Sequence, residues 1–327
     1  MPPGNGAYIV HKMLERELPG YRLCSYSPYW TLFPPSLYSL CRKRIGKADL
    51  IHTVPDHGLF FTANKVPLVL TFHNFVLDSF MQGYSTPLQR IHYRTDLCWF
   101  INASLRRAAV ITSVSRYTAD LVRKELGFAG DIRIINNGVD TNMFTPAVAG
   151  SSDGGPLRVL FAGNLTRRKG ADLLPEIARQ VNAGIRIICT SGLRTQVMLP
   201  ESETLHQLGS IPYSDMPALY RSVDVLLLPS VREGFPLAVV EAMASGLPVI
   251  ATDCSSLPEL IDEGRGGYLC PAGDARYFSE KLNELADSPG LCKQMGDYNR
   301  ARAEQEFMLE NMVRKYQDLF DEVHDSR

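Results

Sequence analysis

Two carboxylates, Glu233 and Glu241, bracket a Gly-Phe-Pro turn in the stretch REGFPLAVVEAMASG, Arg232 to Gly246. The apolar run VDVLLLPS precedes it and LPVIAT follows, so the local order is strand, loop, helix, strand, as in a parallel βαβ unit. Pro236 suits a first helical position, where its missing N–H leaves no bond unmade. The free N–H groups of that first turn, backed by the helix dipole, can hold an anion such as a phosphate. Glu233 would then sit in the loop and Glu241 on the helix, about 7.5 Å along its axis at 1.5 Å per residue. An anion site between two hydrogen-bond-accepting carboxylates matches a ligand with phosphates in its middle and hydroxyls at both ends. A nucleotide sugar has that layout.

Three further stretches carry chemistry-bearing residues. GNLTRRKGADLL follows the first strand of the second half and brings Arg167, Arg168 and Lys169 to the strand's carboxyl end, where a diphosphate needs cations. A solvated basic turn is the alternative. PLVLTFHNF sets His73 just past a strand end, as a structural histidine or as a hydrogen-bond partner for a bound sugar. PPGNGAYIV places Gly4 and Gly6 ahead of a helix, where glycine lets backbone N–H groups approach a phosphate closely; a plain turn has the same signature. No Ser/His/Asp or Cys/His set is spaced for a hydrolytic triad. No His/Asp cluster reads as a metal site, and none is expected.

The elements that position these residues alternate along the chain. Strand-like runs in the first half are YRLCSY, DLIHTV, PLVLTF, AAVITSVS and IRIINNG, with AYIVHKMLEREL and YTADLVRKELG as helical segments between them. The second half offers LRVLFAG, IRIICTSG, VDVLLLP, PVIAT and GGYLC. This alternation means α/β architecture with parallel sheets. The stretch TPAVAGSSDGGP, Thr145 to Pro156, is small, polar and rich in Gly, Ser and Pro, and reads as the linker. Two Rossmann-like domains, 1–146 and 147–327, facing each other across a cleft are therefore expected, with ligands beyond the carboxyl ends of the strands.

With 327 residues the chain can build two cores, and 45% hydrophobic with 21% charged residues is ordinary for a folded protein. The net charge of −1 hides an asymmetry: residues 1–146 hold 16 Lys and Arg against 10 Asp and Glu, the remainder 18 against 25. A basic first half suits anionic acceptors or an anionic membrane surface, and CRKRIGK, Cys41 to Lys47, is its densest run. Seven cysteines without CxxC spacing argue against a disulfide framework and a zinc site and fit a reducing cytoplasm. No apolar run approaches the ~18 residues of a membrane helix, and there is no nucleic-acid motif.

The chain resembles family 4 of the retaining glycosyltransferases, the glycosyl transferases group 1 of GT-B fold, over nearly its whole length. The resemblance rests on Glu233 and Glu241 with seven residues between them in EGFPLAVVEAMASGLPVIAT. NNGVD (Asn136 to Asp140), GSIPYSDMPALYRSVDVLLLPS, LPELIDEGRGGYL and the final MLENMVRKYQDLFDEV support it. It implies a last helix, about residues 308–327, that crosses back onto the N-terminal domain. It also implies transfer of a sugar from a nucleoside diphosphate sugar, UDP or GDP, to an acceptor hydroxyl with retained configuration and no metal or other cofactor. Surface glycan or glycolipid synthesis would be the setting, on a glycan or lipid-linked acceptor, with peripheral membrane contact. By the same resemblance Glu233 would meet the donor sugar, Glu241 the ribose, and the backbone of Gly234, Phe235, Pro236 and Leu237 the sugar and diphosphate. Lys169 would neutralise the leaving diphosphate, helped by the Gly4–Gly6 loop, and His73 would touch the sugar. The family often has Arg five residues before the lysine; here Asn164 stands there, and Arg168 or Arg167 would replace the charge. Where a Gly-Gly pair commonly precedes LPE, this chain has Ser255 and Ser256. A nucleotide-sugar epimerase or a non-catalytic nucleotide-sugar-binding protein are the alternatives; no GxGxxG with a distant acid suggests a nicotinamide enzyme.

In the family a β-strand precedes the glycine loop, whereas Gly4 here follows Met1, Pro2 and Pro3. Two prolines cannot begin a central strand, since neither donates to a ladder. A sheet lacking that strand is expected to keep a gap of about two strand spacings, roughly 9.6 Å. Upstream in-frame codons encoding a short apolar strand would close it, giving a more soluble and more active protein; an in-frame stop codon immediately upstream would contradict this.

Overall fold

The computed structural model describes all residues except 46, 62–65, 148–154, 193–194, 201 and 327. The chain forms two compact units, Met1–Asn137 with Glu310–Arg327, and Gly138–Leu309. Most of the expected linker lies outside the described residues, and the units divide at Asn137, ahead of the expected 146/147 boundary. The cause is local bonding. Val139 N–H donates to Phe307 O at 2.8 Å, Leu309 N–H donates to Val139 O at 2.9 Å, and the Arg300 guanidinium donates to the carbonyls of Thr141, Phe144 and Ala244. Residues 138–147 are thereby tied to the second unit.

The first unit contains a four-stranded parallel sheet: β1 (Ile51–Thr53), β2 (Leu68–Phe72), β3 (Val110–Ser113) and β4 (Arg133–Ile134), in that spatial order. β2 is buried along its length and packs with Phe75, Leu97, Ile101 and Val122 into one core. Helix Arg116–Leu126 follows β3 because Ser115 caps it, accepting the Thr118 N–H at 3.1 Å, and Gly127 ends it at φ +61°. The YRLCSY segment forms no strand, so that expected element is absent. Of the last helix, Leu309–Asp325, the part from Glu310 belongs to this unit; Arg133 grips Glu322 through both guanidinium nitrogens at 2.5 and 2.6 Å.

The second unit holds β5 (Leu157–Phe161), β6 (Ile185–Ser191), β7 (Leu205–Ser210), β8 (Val225–Leu228), β9 (Val249–Thr252) and β10 (Gly267–Cys270). The strands run parallel in the order β10-β9-β8-β5-β6-β7. β7 was not legible in the sequence, because only Leu205 of its six residues is buried. β5, first in sequence, lies between β6 and β8, so the strand order reverses there. The crevice beyond the carboxyl ends of β5 and β8 is the topological switch point where doubly wound sheets bind ligands.

Candidate active site

The loops leaving β5 and β8 meet at that switch point, and backbone bonds fasten them. Val231 N–H donates to Arg168 O at 3.0 Å, and Arg168 Nη1 donates to Arg232 O at 2.6 Å. Gly170 makes the approach possible: it sits at φ +74°, and a Cβ there would lie 2.1 Å from Pro229 O. Thr166 accepts the Lys169 N–H and sets the turn that presents Lys169. The result is a short ion pair, Lys169 Nζ to Glu233 Oε1 at 2.6 Å, with Arg168 3.8 Å from the other carboxylate oxygen. Both members are largely withdrawn from water, with side chains 17% and 8% exposed. Burial alone would raise the Glu233 pKa, but Lys169 and Arg168 overcome it and hold the carboxyl below its ordinary value.

Ser255 and Ser256, which stand where the resemblance would have glycines, grip the same loop. Glu233 N–H donates to Ser255 Oγ at 3.0 Å and Ser256 Oγ donates to Glu233 O at 3.3 Å. Ser255 takes φ +53°, a left-handed backbone that costs a side-chain-bearing residue on the order of 1–3 kcal/mol. The hydroxyl contact to Glu233, worth about 0.5–1.5 kcal/mol, offsets part of that strain.

Helix Leu237–Ala244 begins one residue later than expected. Pro236 is its N-cap, extended at ψ 118°, and not its first helical residue. Glu241 is buried on this helix and accepts a hydrogen bond from Tyr220 Oη at 2.9 Å. Burial pushes its pKa up to about 7, with hydrogen bonds from Tyr220 and Tyr213 opposing the shift. The two glutamates of one motif are therefore shifted in opposite directions, Glu233 below its ordinary value by the cations beside it and Glu241 above it by burial. Tyr220 and Tyr213 were not found from the sequence; their position in GSIPYSDMPALYRSVD, far from the glutamates in the chain, carries no periodic signal. Asn164 and Gly163 lie in the loop after β5, and Gly163 N–H donates to Thr190 Oγ1 at 2.9 Å.

The remaining expected residues belong to the first unit. Gly4, at φ +88°, precedes Asn5, whose side chain caps helix Gly6–Glu17 by accepting the Tyr8 N–H. His73 follows β2, with its Nε2 3.3 Å from His11 Nε2. Burial lowers its pKa to about 4, so the ring is neutral at pH 7, and its buried Nδ1 has no hydrogen-bond partner among the described residues. His11 is part of a polar chain that sequence reasoning missed. It meets Tyr21 Oη at 2.5 Å, Tyr21 meets His52 Nδ1 at 3.0 Å, and His52 Nε2 meets Thr71 Oγ1 at 2.7 Å. Thr71 in turn lies 2.6 Å from Thr112 Oγ1 and 3.3 Å from Tyr316 Oη.

Residues 3–143 match the family described as Glycosyltransferase Family 4, and residues 156–288 match Glycosyl transferases group 1. The chain belongs to the group 1 glycosyltransferases. Sulfoquinovosyl transferase SQD2 of Arabidopsis thaliana is 28% identical over 84% of this chain and 59% of its own length. A D-inositol 3-phosphate glycosyltransferase of Pseudarthrobacter chlorophenolicus is 32% identical over 60% of this chain and 52% of its own. A Salmonella typhimurium protein provisionally named as a colanic acid biosynthesis glycosyltransferase is 33% identical over 47% of this chain and 42% of its own. The chain thus spans about half the length of these curated relatives. Among solved structures, sucrose-phosphate synthase of Thermosynechococcus elongatus superposes with TM-score 0.80 at 21% identity, covering 93% of this chain and 82% of that one. Anabaena HepE in complex with UDP and glucose gives 0.76 at 18% identity, covering 98% and 90%. These likenesses show the fold, that of GT-B glycosyltransferases.

The raised Glu241 pKa has a consequence for stability. Between the unfolded value near 4.5 and the folded value near 7, the folded chain keeps a proton that the unfolded chain has lost. Stability therefore falls as pH rises through that window. Glu241→Gln removes this contribution, so the difference in Tm between variant and parent should grow in the variant's favour from pH 5 to pH 8. Thermal unfolding at four pH values across that range measures it; parallel Tm curves would mean that Glu241 stays ionised.

Proposed function

We propose that the protein transfers a glycosyl group from a nucleoside diphosphate sugar to an acceptor hydroxyl, with retention of configuration and without a metal ion. The observation that carries this reading is the Lys169–Glu233 pair at the switch point, with the buried Glu241 on the helix behind it. An ammonium held by a carboxylate inside a loop junction is a site tuned for a polyanionic ligand. On this reading Lys169, with Arg168 beside it, neutralises the charge that gathers on the diphosphate as the bond to the sugar breaks. Glu233 accepts hydrogen bonds from the sugar hydroxyls, and the backbone of Gly234, Phe235, Pro236 and Leu237 lies along the sugar and diphosphate. Glu241 accepts from the ribose, and Asn164 completes the phosphate loop. In the first unit, His73 with its neutral ring and the Gly4–Gly6 loop with its backbone N–H groups are the candidates for ligand contact. HepE, solved in complexes with UDP-glucose and with UDP, supports a uridine donor, with GDP as the alternative base.

Surface glycan or glycolipid synthesis is the proposed setting, on a glycan or lipid-linked acceptor at the cytoplasmic face of a membrane. The relative named for colanic acid biosynthesis supports it. So do exposed aromatic side chains of the basic first unit, among them Tyr29, Trp30, Phe33 and Trp99, which suit an anionic lipid surface. No helix among the described residues is long and apolar enough to cross a membrane, so such contact would be peripheral.

Thermal shift with UDP, GDP and ADP should single out one nucleotide, because the base contacts are fixed while the phosphates are shared. With that nucleotide, Glu241→Ala should weaken binding about ten- to a hundredfold, the worth of one charged hydrogen bond. Unchanged affinity would remove Glu241 from the ribose site. Lys169→Ala should lower turnover by roughly 10²–10³ while leaving nucleoside affinity intact. A larger loss in Arg168→Ala would transfer the principal cation role to Arg168.

A further inference from the structure

The Tyr220 hydroxyl, fully buried in the second unit, has one hydrogen and two acceptors within reach. It lies 3.2 Å from Ala238 O and 2.9 Å from Glu241 Oε2. Both contacts are hydrogen bonds at once when the carboxyl is protonated: Tyr220 then donates to Ala238 O while Glu241 donates to Tyr220 Oη. An ionised Glu241 instead takes the tyrosine's hydrogen. Ala238 O loses little by that, since inside helix Leu237–Ala244 it also accepts the N–H four residues on. The carboxyl is poised for this exchange, because burial pushes its pKa up to about 7, opposed by the bonds from Tyr220 and Tyr213. Charged groups on the elements packed against the helix are engaged elsewhere. β8 and β9 carry no titratable side chain. Helix Met216–Arg221 brings Tyr220, with Asp215 before it and Arg221 at its end. Helix Pro289–Glu306 faces the site with Arg300, which is held by the carbonyls of Thr141, Phe144 and Ala244 and by Glu304 at 2.7 Å. Asp140 accepts from the N–H groups of Asn142 and Met143, and the Phe144 ring closes edge-on against both tyrosines.

We propose that Tyr220 is a positioning residue of the donor site, turning its hydroxyl from Ala238 O to Glu241 as the carboxyl gives its proton to solvent and accepts the ribose hydroxyls. Granted the donor reading of this site, on which the proposal rests, the hydrogen count closes. An ionised carboxylate offers about four acceptor positions on its two oxygens. Tyr213 and Tyr220 supply two hydrogens and a pair of vicinal ribose hydroxyls supplies two more, so every position is filled. A protonated carboxyl has fewer acceptor positions and carries a donor that must itself be placed. Binding therefore selects the ionised form, and the proton passes to the buffer. The sign follows from linkage: affinity rises with pH up to the pKa of the free carboxyl and levels off above it. A tyrosine that only filled the core would leave affinity without this dependence.

The test is titration calorimetry with UDP-glucose and GDP-glucose, whose diphosphates hold a constant charge from pH 6 to 8.5, in buffers of different ionisation heat. With the sugar nucleotide that binds, affinity should fall about tenfold from pH 8 to pH 6, with about 0.9 proton released at pH 6 and about 0.1 at pH 8. Glu241→Gln should remove both the pH dependence and the release. Tyr220→Phe deletes the bond that favours the ionised form, so its midpoint should move up by about one pH unit. It should then bind about fivefold more weakly than the parent at pH 7 and within about 1.5-fold of it at pH 8.5. An equal loss at every pH would make Tyr220 purely structural and overturns the proposal, as does proton release that persists in Glu241→Gln. If Tyr220→Phe fails to fold, Tyr220→3-fluorotyrosine, a stronger hydroxyl donor, should move the midpoint down, and an unmoved midpoint overturns the proposal. Binding that is independent of pH overturns this proposal alone, whereas no binding at any pH overturns the donor reading and this proposal with it.

Discussion

A buried carboxylate costs free energy unless something opposite in charge stays beside it, and in the second unit that something is Lys169. Glu233 and Lys169 come from loops 64 residues apart in sequence, and their 2.6 Å contact exists only because β5 and β8 are neighbours in the sheet. The strand order, Gly170 packed under Pro229, the Val231–Arg168 backbone bond and the two serines on the Glu233 loop all serve that contact. Removing one partner of such a pair leaves an unpaired buried charge, a loss of about 3–5 kcal/mol, whereas an apolar pair of similar size would often be as stable. Stability alone therefore gives no reason to keep it. The proposed anion-binding role does.

Much of this was legible in the sequence, and the limits have physical causes. The glutamates announce themselves because a Gly-Phe-Pro turn between two apolar runs has few structural solutions. Strands β8 and β9 are buried along their whole length and read as continuous apolar runs. β7 is mostly exposed on the sheet's edge and offered no pattern. YRLCSY has the composition of a strand, yet composition supplies no partner, and it forms no ladder. Tyr220 reaches Glu241 through the fold, so no spacing rule could find it, and Ser255 was visible only as a departure from a glycine, without its contact to Glu233.

The first unit follows a different logic. Its polar chain runs from His73 through His11, Tyr21 and His52 to Thr71, and each member is donor or acceptor to the next. Burial lowers the pKa of all three histidines, to about 3 for His52 and about 4 for His73, so the chain is uncharged at neutral pH. Neutral rings can be packed this closely without charge repulsion; His11 and His52 lie 4.5 Å apart between ring centres, tilted by 36°. Tyr316, from the last helix, bonds to Thr71 in β2 and ties that helix to the sheet. The histidine nearest the strand end is fixed in place by this network.

The central claim is that Lys169 is held by Glu233 in readiness for a diphosphate. The measurement that tests it most directly is the affinity of Glu233→Gln for the nucleoside diphosphate. The variant keeps the side chain's shape and removes the charge that competes for the ammonium. Binding should tighten, by calorimetric titration, while glycosyl transfer is lost. If binding weakens instead, Lys169 is not shared between the carboxylate and the ligand, and the site would have to be built on other residues.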